Sequence, residues 1–214
     1  MNVNIWSNVG VDVQTILGAA VTIDTISKAN PAVAGAAAHP FLDGDIVLLR
    51  TKGMRQLDWA VVRVANKASG TFELEGIDSS GFSTFSSGTA QKITFGATAE
   101  TFQDVSANGG EAADVNVSTI HSDQDTSIPG NRTPLVFNFG SIWDPSDPAL
   151  KALKGFDRKK SPCAMVFRFA TGDLVYFAAT PSTSLAPGGS AGAVVTTPVK
   201  LSVKGLLTTY PAAV

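Results

Sequence analysis

Short runs of Val, Ile, Leu, Phe and Thr, separated by turn residues, make up most of this 214-residue chain. The turn signals include Asp43-Gly44-Asp45 and Pro129-Gly130-Asn131. Apolar, β-branched runs bounded by such turns are typical of strands. The pattern predicts strands over residues 46–50, 59–65, 71–75, 115–120, 135–139, 164–170, 174–179 and 199–207.

The clearest predicted strand pair lies between residues 163 and 179. Met165 and Phe167 fall on one face of the first strand by simple alternation, and residues 171–173 form a short hairpin loop that contains glycine. The return strand, 174–179, is apolar on both faces. Such a strand must be covered on both sides, either by its own core or by a neighbouring molecule.

One helix is marked by its local sequence. Asp147 has the chemistry of an N-cap, and Pro148 suits the first helical position because its missing N–H costs nothing there. Good helix formers follow, and Gly155 is the expected end. The sequence therefore predicts a short helix near residues 148–156 on a β body. The Gly, Ser and Pro content of residues 99–110 and 180–193 predicts loops, and the sequence leaves open whether they are ordered only in an assembly.

Charge is sparse but segregated along the chain. The net charge is −2, so the chain lacks the excess of Lys and Arg that is typical of proteins that bind nucleic acids. Residues 93–131 contain six acids and no Lys or Arg, whereas residues 151–160 contain five basic residues. Two patches of opposite sign favour attraction between copies of the chain. The alternative is that both are ordinary solvated loops, because surface charges contribute little in most proteins.

The chain offers little material for catalysis or metal binding. Its single cysteine, Cys163, lies in an apolar run and is expected to be buried. His121-Ser122-Asp123 places triad-type residues side by side, but adjacency in a strand points them to alternate faces. Residues 188–192 are rich in glycine but lack the Lys and Ser/Thr of a phosphate-binding loop. We therefore predict no catalytic residue, no metal site and no cofactor.

Four stretches resemble the major tail tube protein of bacteriophages with long, non-contractile tails. The most specific is Ser141 to Pro148 with Leu150, at the entry to the predicted helix. Pro40 departs from the family pattern, which has a small residue after His39. The other three stretches are 26–33 with His39 and 44–47; 53–54 with 62–66 and 72–78; and 117–121.

The resemblance implies a mainly β fold: a β-sandwich core with one short flanking helix, plus a small all-β module. Residues 1–22 would begin the core, 23–92 would form the inserted or external module, and 93–214 would complete the core. It also implies hexameric rings stacked into a hollow tube that delivers the genome into the host, with no enzymatic activity. The location would be the virion tail, after assembly in the host cytoplasm.

The partners implied are further copies of the chain, a tape measure protein, a tail terminator and tail-tip or distal tail proteins. DNA would pass through the lumen without specific binding, and no membrane is involved. The expected ring or stacking contacts join Arg158, Lys159 and Lys160 to Glu111, Asp114, Asp123 and Asp125. The alternative function is a tail-tip or virion-surface protein that binds a receptor or glycan; a glycan hydrolase is a third reading.

Two lysines bear on the expected charge of the lumen wall. Lys200 and Lys204 alternate with Val199, Leu201 and Val203, so the sequence places both lysines on one wet face. If that face lined the lumen, it would attract phosphate unless acids lay beside it.

Overall fold

The computed structural model describes residues 3–212. It is mainly β with one α-helix, as predicted. The helix is α1 (Pro148–Lys159), and a 3-10 turn spans Arg55–Leu57. The strands are β1 (Gly10–Leu17), β2 (Val21–Ile23), β3 (Thr25–Ile26), β4 (Ala32–Gly35), β5 (Ile46–Lys52), β6 (Val61–Ala65), β7 (Thr71–Leu74), β8 (Ser87–Ala99), β9 (Phe102–Asn108), β10 (Ala112–Asn116), β11 (Ser127–Arg132), β12 (Val136–Ile142), β13 (Cys163–Arg168), β14 (Leu174–Ser182) and β15 (Thr196–Tyr210).

Thirteen of these strands form one curled antiparallel sheet. Its order is β3-β4-β7-β6-β5-β8-β1-β13-β14-β15-β12-β9, and β2 pairs with β8 beside that path. The predicted hairpin is confirmed, since Cys163 lies opposite Ala179 and Arg168 opposite Leu174. Strands β10 and β11 form a separate two-stranded sheet.

The main core lies on one face of β1, β13, β14, β15 and β12. Phe137, Phe167 and Phe177 form its aromatic centre, with ring centroids 5.0 to 5.5 Å apart. Such edge-on and tilted pairs stabilise a core beyond their buried area. Helix α1 covers this face with buried Leu150 and Leu153.

A second core lies within residues 23–90. Phe41, Phe72, Leu49 and Leu74 are among its fully buried side chains. We call residues 23–90 the module; the expected boundaries at 23 and 92 and the external position stay predictions.

A third apolar cluster joins the module to the opposite face of the main sheet. Val61 from β6 packs with Val166 from β13 and Tyr176 from β14. The Tyr210 hydroxyl accepts a hydrogen bond from the Arg63 backbone N–H at 2.8 Å, and the Arg63 guanidinium lies 4.4 Å from the Tyr210 ring centroid. The hydrogen-bonded Glu75 carboxylate raises the pKa of Arg63.

This third cluster shows how β14, the strand that is apolar on both faces, is covered. Phe177 and Ala179 of β14 face the main core, whereas Tyr176 and Ala178 face the module. The strand is thus covered on both sides from within the chain. The idea that neighbouring molecules cover it is wrong.

Three local predictions differ from the structure. Helix α1 does not end at Gly155 but continues to Lys159, and Lys160 adopts the left-handed conformation that closes it. Residues 99–110 are not one loop, because β9 occupies most of them, and β14 extends to Ser182. The strand expected over 115–120 is shorter, since β10 ends at Asn116.

Candidate subunit interfaces

Asp147 fixes the start of α1 and the chain around it. Its carboxylate accepts hydrogen bonds from the Leu150 N–H at 2.8 Å, the Glu100 N–H at 3.2 Å and the Thr101 hydroxyl at 3.1 Å. The Asp147 side chain is buried. This one residue therefore holds the helix N-terminus against the turn between β8 and β9, as well as acting as the predicted N-cap.

The predicted acidic residues lie together on one two-stranded element. We define the acidic hairpin as residues 110–132, which comprise β10, β11 and their connecting loop. Asp114 lies in β10, Glu111 precedes it, and Asp123 and Asp125 lie in the loop; all four are exposed. His121 and Ser122 are exposed in the same loop, where the Ser122 hydroxyl lies 3.2 Å from the Thr119 hydroxyl.

The acidic hairpin also exposes apolar side chains. Val115 lies directly opposite Ile128 across the two strands, and both are about half exposed. Ile120 at the tip is 96% exposed. Exposed apolar residues gathered on one element mark interaction surfaces more often than isolated ones do.

The predicted basic residues lie at the end of α1, but only part of the set is brought together. Arg158 and Lys159 are in the last helical turn, and Lys160 is the C-cap. The Lys160 ammonium donates to the Asp157 carboxylate at 3.1 Å. Arg158 instead lines a groove with Lys151 and Lys154, which the spacing of three and four residues places on the same helix face.

That groove, which we call the α1 groove, has a volume of about 240 Å³. Its charged residues are Lys151, Lys154, Arg158 and Asp144. The Asp144 carboxylate accepts from the Ser146 hydroxyl and N–H, which lowers its pKa. The apolar residues of the groove are Trp143, Pro145, Leu150 and Leu185.

The contact between Trp143 and Leu185 in this groove was not predicted, because 42 positions separate the two residues in the sequence. The Trp143 indole N–H donates to the Leu185 carbonyl at 2.9 Å, and the Trp143 backbone N–H donates to the Val195 carbonyl at the same distance. Val194 and Val195 remain exposed beside it. No local pattern predicts these long-range contacts.

A polar face of the main sheet lies opposite the main core. Backbone register aligns three cross-strand rows on β9, β12, β15 and β14. The rows are Ser106, Asn138, Lys200 and Ser182; Asn108, Val136, Ser202 and Thr180; and Asp104, Gly140 and Pro198. We call these residues the polar face. It carries one acid and one base.

Lys200 and Lys204, the two lysines that the sequence places on one face, lie in different surroundings. Lys200 belongs to the polar face, two strands from Asp104. The Lys204 ammonium instead lies 5.6 Å from the Trp59 ring centroid, against the module. The Asp104 carboxylate accepts from the Gly140 N–H at 2.8 Å, and a Cβ at Gly140 would lie 2.7 Å from its other oxygen.

Metal-binding clusters and membrane-spanning helices are not found within residues 3–212. In that range no group of three or more His, Cys, Asp or Glu side chains is placed to hold a metal ion. The helix found there is too short to cross a bilayer. Cys163 is buried, and desolvation raises the pKa of its thiol to about 12.

The comparison with known families identifies the family of this chain. The model of a family of phage tail tube proteins, TTP, matches residues 52–212. The match begins within β5, so it includes part of the module as well as the main core. No curated protein matches the chain. The match covers most of the sequence, and the chain therefore belongs to the phage tail tube protein family.

Proposed function

We propose that copies of this chain close into hexameric rings that stack into the hollow tube of a long, non-contractile phage tail. Family membership supports a structural role in the tail tube. The polar face is the observation that carries the proposal further. A neutral sheet surface beside an unpaired edge strand is suited to line a channel made by several copies.

The edge strand supports closure into a ring. Within residues 3–212, β9 pairs with β12 on one side and with no strand on the other. An unpaired edge presents free N–H and C=O groups to another chain. Pairing around a ring removes all such edges and gives a barrel.

The composition of the polar face supports passage of DNA without retention. Binding to the phosphate backbone grows with the number of Lys and Arg side chains that neutralise phosphates. Lys200 is the single base on the polar face, and Asp104 offsets its charge. The genome would therefore slide along small polar groups, without a specific contact.

The rest of the proposal concerns location and partners. The protein would act as a structural component without enzymatic activity, assemble in the host cytoplasm and remain in the virion tail. A tape measure protein would set the tube length, and terminator and tail-tip or distal tail proteins would close the two ends. The runner-up function, glycan or receptor binding, requires an exposed aromatic platform. Trp59 is covered by the Arg50 guanidinium, 3.7 Å from its ring centroid, and the partly exposed Trp6 and Trp143 lie at different surfaces.

Negative-stain microscopy of concentrated protein tests assembly, and cysteine labelling tests which surface is inside. Ser106→Cys places a thiol on the polar face, and Ser69→Cys places a matched thiol on the module surface, where Ser69 is exposed. Buried Cys163 with its raised pKa adds little background. In monomers, both introduced thiols should react with a small maleimide and with a maleimide coupled to a large polymer.

In tubes, Cys at position 106 should react with the small reagent and resist the large one, apart from the fraction at open ends. Cys at position 69 should react with both. Two results would contradict the proposal. One is a monomer that persists at all salt and protein concentrations. The other is a tube in which the large reagent labels position 106 fully.

A further inference from the structure

The acidic hairpin and the α1 groove match in two independent properties. The hairpin combines exposed Val115, Ile120 and Ile128 with four acids. The groove combines an apolar floor around Trp143 with three bases on one helix face. An apolar centre with opposite charges at the margin is the arrangement that gives affinity and orientation at protein interfaces.

The two surfaces lie at opposite ends of the same strand ribbon. Asn108 and Val136 pair at one end of the β9–β12 ribbon, and the acidic hairpin continues from there. Ile142, at the other end, leads directly into Trp143 and the α1 groove. The seven residues of β12 separate them by about 20 Å, since a strand rises about 3.3 Å per residue.

The acidic hairpin thus leaves the ribbon at the end opposite to the α1 groove of its own chain. We therefore infer that the groove it contacts belongs to a second molecule placed in line with the first. Contacts between two different surfaces are heterologous, and when repeated in one direction they produce an open filament. The apolar face of the hairpin finds no covering partner within residues 3–212, because Val115 and Ile128 remain about half exposed.

We propose that the acidic hairpin of one copy docks into the α1 groove of the next copy along the tube. Val115, Ile120 and Ile128 lie against Trp143 and Leu185 of the neighbour. Asp123 and Asp125 lie toward Lys151, Lys154 and Arg158. The inference rests on the proposed function and assigns the acceptor surface of its stacking contact.

Charge exchange between the two surfaces provides the test. One variant carries Asp123→Lys and Asp125→Lys on the hairpin, and a second carries Lys151→Glu and Lys154→Glu in the groove. Each should raise the protein concentration needed for tube formation at least tenfold, measured by sedimentation and negative stain. A variant with all four changes should regain near wild-type assembly, because the pairing of opposite charges is restored. Circular dichroism checks that every variant is folded.

The matched control is Lys28→Glu with Lys67→Glu, which makes the same charge change on exposed residues of the module. It should assemble like wild type. Normal assembly of the groove variant, or failure of the fourfold variant to regain assembly, would overturn the docking while leaving the tube proposal intact. If wild-type protein itself forms neither rings nor tubes, the proposed function fails and the docking fails with it.

Discussion

At the scale of single residues, Asp147 shows both the reach and the limit of local sequence patterns. Its role as N-cap follows from the Asp-Pro pair and the helix formers after it. Its second oxygen contacts Glu100 and Thr101, which are 47 and 46 positions away in the sequence, so these contacts depend on how β8 and β9 return to the helix. Local chemistry predicts the cap, whereas the tertiary fold decides the buried network.

The Asp147→Ala variant should lose about 3 kcal/mol of unfolding free energy. About 1 kcal/mol comes from the cap, and the remainder from the buried donors left without an acceptor. Asp144→Ala is the control, since the Asp144 carboxylate also accepts two local hydrogen bonds but lies outside the buried network. Urea unfolding should show a loss of less than about 1 kcal/mol for that control. Equal losses in the two variants would contradict the network.

At the scale of elements, strands with clean apolar runs were predictable and strands built from small residues were not. Strand β8 contains two glycines and several Ala and Thr residues, so its sequence lacks a clear apolar face. It is held instead by neighbours on both sides, β1 along its second half and β5 along its first. The acidic hairpin was recognised by its charge, but its apolar face became visible only when Val115 and Ile128 were paired.

Two glycines of different elements should respond in opposite directions to alanine. Gly205 in β15 has a φ of +69°, and a Cβ there would lie 2.4 Å from the Asp58 carbonyl oxygen. Gly205→Ala should therefore destabilise the protein by about 2 kcal/mol or more, through backbone strain and the clash with the module.

Gly155, within α1, has no atom within 4 Å of the position that a Cβ would occupy. Gly155→Ala should stabilise the protein by up to about 1 kcal/mol, because alanine is the better helix former. Thermal unfolding of the two variants measures both effects. A loss of stability in Gly155→Ala, or none in Gly205→Ala, would contradict this account of the two backbones.

At the scale of the whole molecule, the sequence predicted the mainly β fold class, whereas the division into a core and a module over residues 23–92 stays a prediction. Residues 23–90 and the main sheet have separate apolar cores, and a third cluster joins them. The residues that form this third apolar cluster depend on which side of β13 and β14 the module packs against. That is a property of topology, which strand patterns in one chain do not specify.

Deletion of residues 24–91 with a short linker tests the expectation that 23–92 is a separable module. The shared cluster predicts that the remaining core becomes insoluble, because Val166, Tyr176 and Tyr210 lose the surface that covers them. Solubility after expression and the near-ultraviolet circular dichroism of any soluble fraction provide the readout. A soluble, cooperatively folded core would show that the module is dispensable for folding.

Strand β8 runs without interruption from the module into the main sheet, and this has a mechanical consequence. Its first residues pair with β5 and its last with β1, so one backbone serves both parts. A pull on the module along this strand loads many hydrogen bonds in shear at once, instead of opening them one after another. The module is therefore joined to the main sheet by a continuous strand, and we expect the two to move together under load.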